Sequence, residues 1–164
     1  FMDSEAACRA VESGDLELAI VTLPPDTPDR LDLNPIWDDP LVVMLADDHP
    51  LADQACLRLE SLAAHPAVLP GPTTYTRGIL EAAMRDRGIQ LNVAMATNYL
   101  ETLRMLVATG LGWSLLPATL LDRGIRAVDV EGLVLSRTLG AVTHRRRELS
   151  NAARLMIEAC RKPA

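Results

Sequence analysis

The chain has 164 residues, 49% of them hydrophobic, which suits one domain, or two small lobes sharing strands, with a buried core. A net charge of -6 argues against a surface that grips a nucleic-acid backbone, since phosphate contacts need clustered Lys and Arg. Aromatics make up only 3%, so the core is aliphatic, as is usual where parallel strands are covered by helices on both faces.

In chain order, Asp3 or Ser4 caps a first helix that runs to about Ser13, with Ala7, Cys8, Ala10 and Val11 on its inner side and Gly14 as terminator. A short strand is expected over residues 17–22. Pro24, Pro25 and Pro28 then force a loop, and residues 31–37 and 40–46 read as extended segments flanking Asp38 and Asp39. Val42, Val43, Met44 and Leu45 look buried on both faces. Residues 47–57 are polar and turn-rich, residues 58–62 suggest a short helix, and residues 67–69 a strand. Pro70, Gly71 and Pro72 break the chain. Thr73, Thr74 or Thr76 caps the next helix, which runs to about Arg87 with Ile79, Leu80, Ala83 and Met84 inward, and Gly88 ends it.

A strand over residues 91–97 follows, then the most informative stretch, residues 98–117. Leu100, Leu103, Met105, Leu106 and Val107 recur near helical spacing, Gly110 and Gly112 close that helix and turn the chain, and Leu115 and Leu116 form an apolar strand ending at Pro117. Residues 118–122 read as a helical turn, residues 125–130 and 133–142 as strands, and residues 148–160 as a closing helix. Its Leu149, Ala152, Ala153, Met156, Ile157 and Cys160 lie on one packing stripe. Alternating strands and helices with short links imply parallel sheets and right-handed crossovers.

Chemistry points first to residues 70–77, because they follow a strand and open a helix whose first N–H groups lack intrahelical partners and attract anions. Thr73, Thr74, Thr76 and Tyr75 add hydroxyls there; the plainer alternative is that one threonine caps and the others are exposed. Thr22 and Asn98 end strands, where ligands gather in open α/β sheets, or else each caps the next segment. Cys8, Cys56 and Cys160 are odd in number, far apart and without the close pairing of metal sites, and read as reduced thiols. His49, His65 and His144 lack a partner at ligand spacing in sequence. Gly110 and Gly112 fit no dinucleotide fingerprint, since the order there is helix then strand, and no nucleophile elbow or P-loop is present. The pairs Asp38-Asp39 and Asp47-Asp48 read as solvated loop charges, and Arg145-Arg146-Arg147 as a solvated turn. No apolar run approaches the roughly 18 residues of a membrane span, and the first residues lack the basic start of a secretory signal.

Three motifs occur in a telling order: Gly14-Asp15-Leu16-Glu17-Leu18-Ala19-Ile20-Val21, Asp48-His49-Pro50-Leu51-Ala52, and Gly110-Leu111-Gly112-Trp113-Ser114-Leu115-Leu116-Pro117. With them the chain resembles, nearly end to end, the effector-binding domain of LysR-type transcriptional regulators. The resemblance implies an α/β, periplasmic-binding-protein-like fold of two Rossmann-like lobes joined by two crossover strands. Residues 1–43 plus 128–164 would form the first lobe and residues 44–127 the second, with a cleft between them for a small molecule. The implied ligand is a small anionic effector, such as a carboxylate, met by Thr22, Thr73, Thr74, Tyr75, Thr76 and Asn98, with no cofactor, no metal and no catalysis. It further implies a cytoplasmic homo-oligomer, dimer or tetramer, in which residues 4–13 make contact, and DNA binding only through a domain absent from this chain. The family's winged helix-turn-helix, opening strand and first helix have no counterpart here. The natural protein is therefore expected to carry more residues before Phe1, including a strand beside residues 17–22. A solute-binding transport component of the same fold is the alternative, opposed by the missing signal and the interior His-Pro motif. An enzyme is the third reading, opposed by the lack of a nucleophile, base or metal set.

Overall fold

In the computed structural model, which describes residues 2–161, the chain falls into two compact units. One comprises residues up to Asp38 together with those from Arg137, and the other is Asp39–Ser136. The division falls inside two long strands, β2 (Leu31–Ala46) and β8 (Leu135–His144), each of which continues from one unit into the other. The boundaries expected from sequence, at 43/44 and 127/128, lie five and nine residues from these points. Phe1 and any segment ahead of it lie outside the described residues.

In the first unit, α1 (Ser4–Ser13) packs on β1 (Leu18–Thr22) through Ala7, Cys8 and Val11. Gly14, at φ 90°, takes the left-handed conformation that stops the helix, and its N–H donates to the carbonyls of Ala10 and Val11. β1 pairs antiparallel with β8, from Leu18 opposite Thr143 to Thr22 opposite Leu139. The closing helix α5 (Asn151–Arg161) is held at its start by Glu17, whose carboxylate accepts the Ser150 N–H and, at 2.9 Å, the Ser150 hydroxyl. Its inward face is narrower than the expected stripe. Ala153 and Ile157 are buried, whereas Met156 is 55% exposed and Ala152 also faces solvent.

The second unit is built around the later half of β2, which pairs antiparallel with β6 (Ser114–Pro117) and β7 (Ile125–Val130). The short strand β3 (Cys56–Leu57) lies parallel to β7. Strands β4 (Ala67–Leu69) and β5 (Val93–Ala96) pair in parallel, and Ala67 bridges in parallel to Trp113 on the other side. Alternation along β2 and β6 divides the core in two. Val43, Leu45 and Leu115 join Leu62, Leu80, Met84 and Trp113 on the side of α3 (Tyr75–Arg85), while Met44 and Leu116 join Val68, Leu103 and Val107 on the side of α4 (Leu100–Ala108). A short helix, α2 (Leu59–Ala63), and a 3-10 turn, Ala118–Leu120, complete the connections.

Three expectations are corrected here. The sheets are mixed: β4 and β5, joined through α3, are parallel neighbours and β3 lies parallel to β7, whereas β2 meets both β6 and β7 antiparallel. Residues 31–46 form one strand with no break at the aspartates, so Asp39 turns inward and is 8% exposed rather than a solvated loop charge. On α4, Leu103 and Val107 are buried but Met105 is 62% exposed, since it lies off the i, i+4 stripe that those two define.

Candidate functional site

The turn from β4 into α3 is where polar groups converge. Strand β4 is wholly buried, and the chain must leave it across Pro70, Gly71 and Pro72 before helix φ/ψ values begin. Thr74 is the N-cap: its extended backbone (φ -79°, ψ 144°) precedes the helix, and its Oγ1 accepts the Arg77 N–H at 3.3 Å. The same hydroxyl donates its proton to the Gly71 carbonyl at 2.9 Å, alongside the Thr74 N–H at 3.1 Å. That proton is therefore committed within the turn.

Asn98 comes from the connection between β5 and α4 and is joined to this turn directly. Its Oδ1 accepts the Gly71 N–H at 2.8 Å. A Cβ at position 71 would itself lie 2.8 Å from that oxygen, so the contact depends on glycine. Thr73 is exposed on the turn, Tyr75 half-buried and Thr76 buried. Five of the six residues expected to meet an effector thus belong to one turn and its neighbour. The sixth, Thr22, belongs to the other unit, where it ends β1, is 6% exposed and donates its N–H to Ser4 Oγ at 3.2 Å.

Sequence reading passed over Arg77. Its side chain is only 9% exposed, its Nε lies 2.7 Å from Glu81 Oε1, and its NH1 donates to the Pro70 carbonyl at 3.3 Å. The signal was legible as an Arg–Glu pair at i, i+4 in the first turns of a helix, a spacing that puts the two side chains on one face. Two grooves, of about 650 and 530 Å³, indent the surface elsewhere. None of the six expected residues lines either one, and Arg77 forms part of the wall of the smaller.

Two further features concern chemistry. His49 and His65, far apart in sequence, meet edge to face with ring centroids 4.8 Å apart. Burial first, and then the like charge of His65, hold the His49 imidazole below its ordinary value of 6.5, against an opposing pull from Asp48. No cluster of three or more His, Cys, Asp or Glu able to hold a metal ion occurs among the described residues. The hydroxyl of Ser114, on the β6 position opposite Met44, is fully buried with no hydrogen-bond partner among the described residues, and so is a cost to stability.

Known proteins share this fold. The effector binding domain of QuiR in complex with shikimate superposes with a TM-score of 0.85 at 18% identity, over 97% of this chain and 77% of that one. The Synechocystis PCC6803 CcmR regulatory domain in complex with 2-PG gives 0.85 at 22% identity, over 98% and 79%. These likenesses establish the fold, which is periplasmic-binding-protein-like. Among curated proteins, the RuBisCO operon transcriptional regulator of Allochromatium vinosum is 28% identical over 154 residues, 91% of this chain and 51% of its own length, so the chain spans about half of that relative. No helix among the described residues is long and apolar enough to cross a membrane. Because the family model for the LysR substrate binding domain matches residues 1–163, the chain belongs to that family.

Proposed function

We propose that this chain is the effector-sensing part of a bacterial LysR-type transcriptional regulator, and that a small anion, a carboxylate or similar group, is taken up at the turn between β4 and α3. The observation that carries the reading is the Asn98–Gly71 hydrogen bond, which ties two strand-to-helix connections together at their ligand-facing ends. An anion there meets the positive end of the α3 dipole and the exposed Thr73 hydroxyl. Tyr75 and Thr76 complete the set of proposed contacts from this turn. The chain performs no covalent step in this reading; effector affinity differs between two arrangements of a cytoplasmic homo-oligomer, dimer or tetramer, and DNA contact belongs to another part of the regulator.

A panel of small carboxylates and phosphorylated acids, shikimate among them, screened by thermal shift and followed by calorimetry, tests this. Thr73→Val and Asn98→Ala should each weaken a confirmed ligand by about 1–3 kcal/mol, the cost of leaving a buried acceptor without its donor or of releasing the turn. Unchanged affinity in both variants places the site elsewhere.

A further inference from the structure

The Pro70–Gly71 peptide is held at both of its poles. Its carbonyl accepts from Arg77 NH1 at 3.3 Å, and its N–H donates to Asn98 Oδ1 at 2.8 Å. Helix side chains lean toward the N-terminus, so a long residue at the third position of α3 reaches back over the start of the turn. The guanidinium that does so is nine-tenths buried, and a charge so placed is tolerated only with a counter-charge, which Glu81 supplies one turn further along at 2.7 Å. Glu81 is itself more than a third exposed, so the pair opens to solvent on the side away from Pro70.

The next peptide is fixed as well, since the Gly71 carbonyl takes both the N–H and the hydroxyl of Thr74. Of these ties only the one from Arg77 comes from a buried, charged donor, and charge-assisted bonds are the strong ones. We infer that Arg77 is the positioning residue of the effector turn: it sets the orientation of the Pro70–Gly71 peptide from inside, Glu81 holds its fork, and Asn98 reads the result from outside. The inference rests on the proposed effector site but concerns the turn itself. Arg77 touches no ligand. It pre-organises the groups that do, so that binding does not have to order them.

Hydrogen exchange at the Gly71 amide, followed by NMR in the intact protein, tests this, because Arg77 does not bond that N–H and reaches it only through the peptide plane. The Val68 amide, bonded to Trp113 O at 2.8 Å, reports opening of β4 and serves as the internal reference. Arg77→Met should lower protection at Gly71 about tenfold relative to Val68, the scale of one charge-assisted bond. Arg77→Lys keeps the charge but loses the fork, folds, and should give a smaller loss of the same sign. Gly71 protection that follows Val68 in the Lys variant overturns the inference, whether or not the Met variant folds. Titration with shikimate and with inorganic phosphate separates the two proposals. Weaker binding in the Lys variant supports both. Binding identical to wild type, with Gly71 protection lost, leaves Arg77 as the positioning residue of the turn and removes the effector from it.

Discussion

Single side chains in this protein act mostly on backbone groups, and His49 makes the consequence plain. Its Nδ1 accepts the Leu51 N–H at 3.2 Å, so the neutral ring, protonated on Nε2, closes the turn after β2. Protonation removes that acceptor and places an imidazolium edge to face with the His65 ring. Burial and His65 depress the His49 pKa from 6.5, so the unfolded chain binds this proton more readily than the folded one. The stability contributed by neutral His49 is therefore complete above 6.5 and is lost progressively as the pH falls below it toward the depressed value. Melting temperature should drop between neutral pH and about pH 5.5 in the wild type, and the slope should flatten in His49→Asn, whose amide oxygen can still accept the Leu51 N–H. Equal slopes in the two proteins would assign the acid sensitivity to other groups. Neither the ring contact nor the Arg77 tie was visible in sequence, since each joins a residue to a group whose direction is set only once the chain has turned.

At the level of elements, the glycines between α4 and β6 have separate tasks. Gly110, at φ 75°, lets the helix end, whereas Gly112 permits an approach: a Cβ there would sit 2.5 Å from the Pro66 carbonyl oxygen. That space is used by two bonds to the His65–Pro66 segment, from Trp113 N–H to Pro66 O at 3.0 Å and from Trp113 Nε1 to His65 O at 3.3 Å. Gly112→Ala must push backbone against backbone, and should destabilise the second unit by about 1–3 kcal/mol, the range for forced overpacking. Denaturant melts would show it, with Gly110→Ala as a control whose loss comes from φ alone. The helix, the paired glycines and the apolar strand were all legible here, because propensity and spacing are local. Pairing direction was not legible: nothing in residues 31–46 or 125–144 distinguishes a strand met by an antiparallel neighbour from one met in parallel. The run through Asp38 and Asp39 was equally hidden, as two charges break an apolar pattern without breaking a strand whose neighbours alternate sides.

For the molecule as a whole, charge is the property that separates sensing from DNA contact. Sixteen Lys and Arg stand against 22 Asp and Glu, and several of the arginines are already occupied within the fold. Arg145 binds Asp32 and the Leu31 carbonyl, Arg147 donates to the Ser13 carbonyl, and Arg154 donates twice to the Leu149 carbonyl. The basic run at residues 145–147 is thus partly spent on closing the first unit. A surface that grips duplex DNA releases counterions for each phosphate it neutralises, and its affinity rises steeply as salt is lowered. These 164 residues should show no such rise. Fluorescence anisotropy with a labelled duplex of random sequence, read at about 50 mM and about 200 mM salt, should give no binding at either. A salt-dependent affinity, abolished by Arg146→Glu, would instead return residues 145–147 to the role of a DNA contact. Absence of binding fits the proposal that DNA contact belongs to another part of the regulator, and leaves the turn at Gly71 as the proposed place for an anion.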